Sequence, residues 1–286
     1  ILHAPYSDKT LLRNVLAYDT ARILYGRQGG VRSRFVELFF DQNGGELTMD
    51  DYRGIYILME KNKRGQARID ISKLSASDTD ANIITGGYIF KKDKALFDDF
   101  TFRTDRERHQ FGFVAPKAPN TIQQKYLRDH LNEFEDVLHS DAFAAPNSGY
   151  AKYIDVESFI DLHWMVEVFR EIDGFRISTY FTKDRYGKIT AMPVWDYNLS
   201  LGNANYGGGA DAQGWYHQGI AASDYPWFDR LFEDPVFKRR YEERYFELRR
   251  AEFSNQRLMQ RIDAYAEQLR EAVPRNFRRW PILGNY

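Results

Sequence analysis

This chain of 286 residues is predicted to be an α+β protein, β-rich in its first part and helical afterwards. Three observations predict it: apolar residues at helical spacing near the start, a series of short β-rich runs up to about residue 115, and a switch to helical periodicity beyond Pro116 and Pro119.

In chain order, Leu11, Leu12, Val15, Leu16, Ile23 and Leu24 recur with the period of a helix over residues 7–26, with Ser7 and Asp8 as cap candidates and Gly26 as the stop. Residues 34–40 and 54–61 are rich in β-branched and aromatic side chains and flank a turn-forming stretch at Asn43-Gly44-Gly45, so they read as a long hairpin. Further strands are expected at 87–92, 99–103 and 111–114, which makes the first 115 residues one helix and one antiparallel sheet. Helices follow at 121–139 and 156–171 behind the caps Asn120 and Asp155. Two strands at 176–183 and 188–194, a glycine-rich loop, and helices at 227–232, 235–252 and 255–272 complete the chain. A boundary near Lys117 divides residues 1–117 from 118–286, two parts of one enzyme unit.

Composition narrows the function. With 40 basic and 41 acidic residues and no block of like charge, a nucleic-acid partner is not expected. The absence of cysteine removes disulfides, thiolate metal sites and cysteine nucleophiles. No apolar run is long enough to span a membrane. The first residues look unlike a signal peptide, and a start other than Met suggests an excised domain. The six histidines show no ligand-pair spacing, so zinc chemistry is not expected.

The chemistry concentrates in residues 171–198. If residues 184–187 form a four-residue hairpin loop, Lys183 opposes Lys188, Phe175 opposes Asp196, and Asp173 opposes Asn198. Directly opposed residues lie about 5 Å apart and diagonal ones about 7–8 Å. At that separation one carboxylate can receive a proton while its neighbour holds a divalent ion. Phosphoryl transfer needs such a base, oxygen ligands for a cation, and positive groups on the phosphates. Asp173 is the base candidate, and Asp196 and Asn198 are the metal-ligand candidates. The phosphate-contact candidates are Lys61, Lys91 and Arg13, with Glu60 as the acid that orients a cation; Arg32 and Arg34 share one strand face and form another pair. An Asp before a Gly is also a common turn residue, and strand-end lysines are commonly just solvated. The glycines of residues 201–214 make that loop either a mobile cover or a plain connector. Trp195, beside Pro193 and Val194, reads as a core residue.

The segments Asp8-Lys-Thr-Leu-Leu-Arg-Asn14, Arg32-Ser-Arg-Phe-Val36, Tyr52-Arg-Gly-Ile-Tyr-Ile-Leu-Met-Glu-Lys61, Thr85-Gly-Gly-Tyr-Ile89, Asp173-Gly-Phe-Arg-Ile-Ser-Thr-Tyr180 and Pro193-Val-Trp-Asp-Tyr-Asn198 resemble, in order, the signatures of the CotH spore-coat kinase family. The resemblance implies an atypical two-lobed protein-kinase-like fold, ATP with Mg²⁺ or Mn²⁺ as cofactors, and Ser or Thr of secreted, cell-surface or spore-coat proteins as acceptors. It puts the catalytic carboxylate at Asp173 and the metal-binding one at Asp196. Ser178 stands where ordinary kinases carry a metal-binding asparagine, and the kinase glycine loop is missing. A monomer is expected. Two other readings remain open at this point: a binding or adhesion module that has lost turnover, and a two-carboxylate glycosidase.

Overall fold

The structure, a computed structural model, describes residues 1–95 and 99–285. Fifteen labelled elements follow in order among them. They are β1 (Leu2–His3), α1 (Arg13–Tyr25), β2 (Ser33–Phe39), β3 (Tyr52–Met59), β4 (Tyr88–Lys92), β5 (Thr101–Arg103), β6 (Gln110–Ala115), α2 (Thr121–Leu138), α3 (Val156–Phe169), β7 (Thr179–Lys183), β8 (Ile189–Thr190), α4 (Phe228–Leu231), α5 (Pro235–Arg250), α6 (Asn255–Leu269) and α7 (Ala272–Arg279). The predicted α+β class holds.

The helices begin where local chemistry satisfies their free N–H groups. Asn120 and Gln123 form a reciprocal capping box on α2. Asp155, Asp234 and Ser254 cap α3, α5 and α6, and Pro235 opens α5. At α1 the expected cap works at longer range. Asp8 accepts from the Thr10 and Arg13 amides at 3.0 and 2.9 Å, and the helix starts only at Arg13.

The strands form two antiparallel sheets, where one had been expected. A three-stranded sheet has the order β1-β3-β2, and a five-stranded sheet has the order β5-β6-β4-β7-β8. In the second, β4 bonds to β6 on one side and to β7 on the other, so a strand from beyond residue 117 completes a sheet begun before it. The strand β1 and the helix α7 were not anticipated. The amphipathic α7 returns to the first sheet, where Asn276 Oδ1 accepts from the Ile55 amide at 2.9 Å and Trp280 Nε1 donates to the Arg53 carbonyl at 2.8 Å.

The main core is aromatic. Trp227 is fully buried among Phe111, Phe134, Phe159 and Phe181, and its indole N–H donates to Glu135 at 3.0 Å. That core lies between the five-stranded sheet and α2, α3 and α4, and it backs the segment carrying Asp173.

Candidate active site

The hairpin register differs from the expected one by one residue. Thr182 pairs with Thr190 and Lys183 with Ile189, and the ladder stops there. The loop takes five residues, with Tyr186 in the left-handed region at φ 52°. Residues 172–178 are a compact turn, so neither Asp173 with Asn198 nor Phe175 with Asp196 is a cross-strand pair.

The turn is held from several sides. Arg170 ends α3 in the left-handed conformation, and the Asp173 carbonyl accepts from the amides of Arg176 and Ile177 at 3.2 and 2.9 Å. Gly174 packs so closely on α3 that a Cβ there would meet Val166 Cγ1 at 2.5 Å. Phe175, at φ 68°, is buried against His163, Tyr225 and Phe228. From β4, Lys92 Nζ donates to the Arg176 carbonyl at 2.9 Å. Burial pushes this lysine down to about 8, with Asp224 opposing the shift. The Asp173 side chain stays partly open, 3.4 Å from Arg176 Nη2.

Asp196 is fixed from α1. Its amide donates to Tyr18 Oη at 3.2 Å, and the neighbouring Trp195 stacks on the Tyr18 ring at 6.1 Å. Trp195 was expected in the core and is partly buried, packed against it. The Asp196 backbone is left-handed (φ 64°, ψ 52°), a conformation that costs a non-glycine residue about 1–3 kcal/mol and clusters at functional sites. Burial raises the Asp196 carboxyl, Asp173 and Asp93 add like-charge repulsion, and only His3 acts the other way.

The residue that sequence reasoning missed is Glu171. It is 2 % exposed, and its Oε1 accepts from the Asp173 amide at 3.0 Å. Burial raises its carboxyl well above the usual range, and the charges of Asp173 and Asp196 push the same way. Its Oε2 has no hydrogen-bond partner, and neither do Asn14 Oδ1 and Tyr197 Oη, all buried. Asn14 lies one helical turn before Tyr18 on α1 and 3.5 Å from His3 through its amide nitrogen. Orphaned oxygens beside raised carboxyls are a donor set suited to a hard divalent cation.

Most of the other predicted residues are held by contacts of their own. Asn198 donates its amide to Ser7 Oγ at 2.9 Å. Arg13 is a strut: its guanidinium bonds Asp8 at 2.5 Å and the carbonyls of Ser200 and Leu201 at 2.8 and 3.2 Å, leaving it turned to protein atoms. Lys91 lies on β4 opposite Tyr180, 3.1 Å from Asp93 and 3.9 Å from Asp99. Glu60 pairs with Arg32 and Arg68, and Lys61 is exposed next to it. Those two follow β3, just past the end of the central strand of the first sheet. The glycine-rich loop is clipped by Arg170, which donates to the carbonyls of Gly208 and Gly214 at 3.0 and 2.9 Å.

Among the described residues, one trio of His, Asp or Glu brings its ligand atoms within 4.8 Å of one another: His163, Glu167 and His217. The signal was available, since His163 and Glu167 are four apart on α3. Both His163 ring nitrogens are already engaged by the hydroxyls of Tyr225 and Tyr241, at 2.5 and 2.9 Å, and Glu167 holds His217 Nδ1 at 2.7 Å. Glu171, Asp173 and Asp196 are spaced more widely than this trio.

No helix among the described residues is long and apolar enough to cross a membrane. A search of the curated proteins finds no match to the chain. The family model described as CotH kinase protein matches residues 1–286, so the chain belongs to the CotH kinase family.

Proposed function

We propose that this kinase-family chain transfers the γ-phosphoryl group of ATP to serine or threonine hydroxyls of surface, secreted or spore-coat proteins. Asp173 is the carboxylate that orients the acceptor hydroxyl and takes its proton as the Oγ–P bond forms and ADP departs. Asp196 is the principal ligand of Mg²⁺ or Mn²⁺. The observation that carries the reading is the convergence, from the end of α3 and the segment after β8, of Asp173 and Asp196 around the buried Glu171. Asn14 Oδ1 is a further oxygen that fits a divalent ion, and so is Asn198 Oδ1, since the contact of Asn198 with Ser7 is made through its amide nitrogen. A bound divalent ion would supply charge neutralisation at the phosphate oxygens.

The chain's own groups have distinct parts in this reading. The Glu171 carboxyl holds the Asp173 amide and so sets the direction of the Asp173 side chain. Arg176 Nη2 lies 3.4 Å from the Asp173 carboxylate and pairs with it. Lys91, between Asp93 and Asp99, is the phosphate-contact candidate nearest in chain position to the aspartates that influence Tyr180 and Asp196. In kinase terms, residues 1–117 and 118–286 are two lobes that share the five-stranded sheet.

The deciding experiment uses γ-labelled ATP, Mg²⁺ or Mn²⁺ and a Ser-rich acceptor, with calorimetry of nucleotide binding alongside. Asp173→Asn should bind nucleotide and fail to transfer, whereas Asp196→Asn should lose metal-dependent binding itself. Equal incorporation by Asp173→Asn and the parent chain removes Asp173 from catalysis. No nucleotide binding at millimolar concentration points to a non-catalytic module.

A further inference from the structure

A cleft of about 730 Å³ opens between the edge of the three-stranded sheet, α1 and the segment after β3. Six basic side chains line it (Arg22, Arg32, Arg34, Lys61, Lys63 and Arg68) against two acidic ones, Asp19 and Glu60. The chain as a whole carries a formal charge of -1, so this excess is local. It arises in the fold because the cations come from α1, from residues 32–34 at the start of β2 and from the segment of residues 61–68, no one of which is a basic block.

The acids do not cancel the cleft; they build it. Glu60 binds Arg32 and Arg68 together, and Asp19 accepts from Tyr265. Burial works to raise the Glu60 carboxyl, yet the hydrogen bonds from Arg32 and the charge of Arg68 outweigh it and hold it below the usual range. Two guanidinium groups are thereby oriented before any ligand arrives, which lowers the ordering cost of binding. Arg34, Lys61 and Lys63 are exposed and have no ion-pair partner among the described residues.

A second observation is independent of charge. Ser33 Oγ and Arg68 Nη1, on the lining, are buried and lack hydrogen-bond partners. Both can donate. Buried donors without acceptors are rare in folded proteins and costly, about 1–3 kcal/mol each. Their natural complement is a ligand made of acceptor oxygens. No aromatic side chain lines the cleft, so it offers no platform for a nucleobase.

We propose that this cleft is a binding site for phosphoryl groups in series, separate from the carboxylate site. Arginines paired by Glu60 provide forked contacts and the lysines provide mobile charge. The source is a free polyphosphate or a multiply phosphorylated polypeptide segment. The recess at its inner end runs from Glu60, Lys61 and Arg68 to Pro193, three residues before Asp196, so the bound anion would lie on an approach to the carboxylates.

The test is calorimetry of the full chain with tripolyphosphate in EDTA, which keeps divalent ions from drawing phosphate to the aspartates. Binding should occur, weaken steeply with added salt, survive in Asp196→Asn, and fall at least tenfold in the triple variant Arg34→Glu, Lys61→Glu, Lys63→Glu. These three side chains are exposed, and a thermal melt of the variant checks that it is folded. Competition by a doubly phosphorylated Ser-rich peptide, but not by its unphosphorylated form, identifies the polypeptide source; failure of both peptides identifies free polyphosphate. Absent binding, equal binding by the folded triple variant, loss in Asp196→Asn, or displacement by an oligoribonucleotide at lower concentration than tripolyphosphate each overturns the proposal. None of these outcomes depends on phosphoryl transfer, so the kinase reading stands or falls separately.

Discussion

The amide of Asp173 donates to the carboxyl of Glu171, two residues earlier, at 3.0 Å, and that carboxyl is buried with its other oxygen unpartnered. A side chain that reaches forward to its own turn fixes the direction of the next acid.

The first prediction concerns that contact. Glu171→Gln keeps an acceptor for the Asp173 amide, so kcat should stay within about threefold of the parent. Glu171→Ala leaves a buried donor unpaired, a cost of about 1–3 kcal/mol, and should lower kcat about 10–100-fold with KM for ATP little changed. Steady-state kinetics of both variants check it. If Gln fails as badly as Ala, Glu171 acts through its charge.

Arg13 yields a stability prediction. It holds buried Asp8 and two carbonyls beyond Asp196, so Arg13→Met leaves a buried carboxylate without its cation. The loss should be about 3–5 kcal/mol, or a Tm lower by roughly 5–8 °C, measured by calorimetry.

His130 makes stability pH-dependent. Burial lowers it from 6.5 to about 4, with the charge of Lys183 adding to the effect. Between those values the unfolded chain binds a proton that the folded chain refuses, so stability rises with pH from about 4 to 6.5 and is lost on acidification through that window. The shift corresponds to at most about 3 kcal/mol. His130→Phe keeps a ring against Tyr126 and Tyr153 and should flatten that part of the stability profile in urea melts at successive pH values.

Arg170 clips the glycine-rich loop through two backbone carbonyls on a largely exposed surface. Arg170→Ala should speed amide exchange and proteolytic nicking within residues 202–214 while global unfolding moves by less than about 1 kcal/mol. Hydrogen exchange with mass spectrometry separates the two effects.

Much of this was legible in the sequence. Helix caps and apolar periods are local, so Asn120, Asp155 and the strand cores declared themselves. Register was harder. The loop turns through the left-handed, exposed Tyr186 and takes in Lys188 as a fifth residue, which shifts the pairing by one, and the short β8 ends the ladder before it reaches either aspartate. The aspartates approach for a tertiary reason, Tyr18 on α1 holding one and Glu171 the other. Glu171 carried no signal of its own because a Glu at a helix end is ordinarily solvated. The role of Arg13 as a strut depends on carbonyls nearly 190 residues away, as the bond to Ser200 spans 187 positions. The basic cleft is invisible in a balanced composition because three separate segments assemble it.

The pairing of β4 with β7 has a mechanical consequence. Five consecutive residues of each strand face one another from Tyr88–Lys183 to Lys92–Thr179, and Lys92 extends the attachment to the Arg176 carbonyl. Lys91 and the Asp173 turn are therefore parts of a single stiff plate, and no hinge can lie between them without tearing a ladder. Any breathing of the molecule that admits a large acceptor has to occur elsewhere, at the seams where the three-stranded sheet rests on α1 and α7.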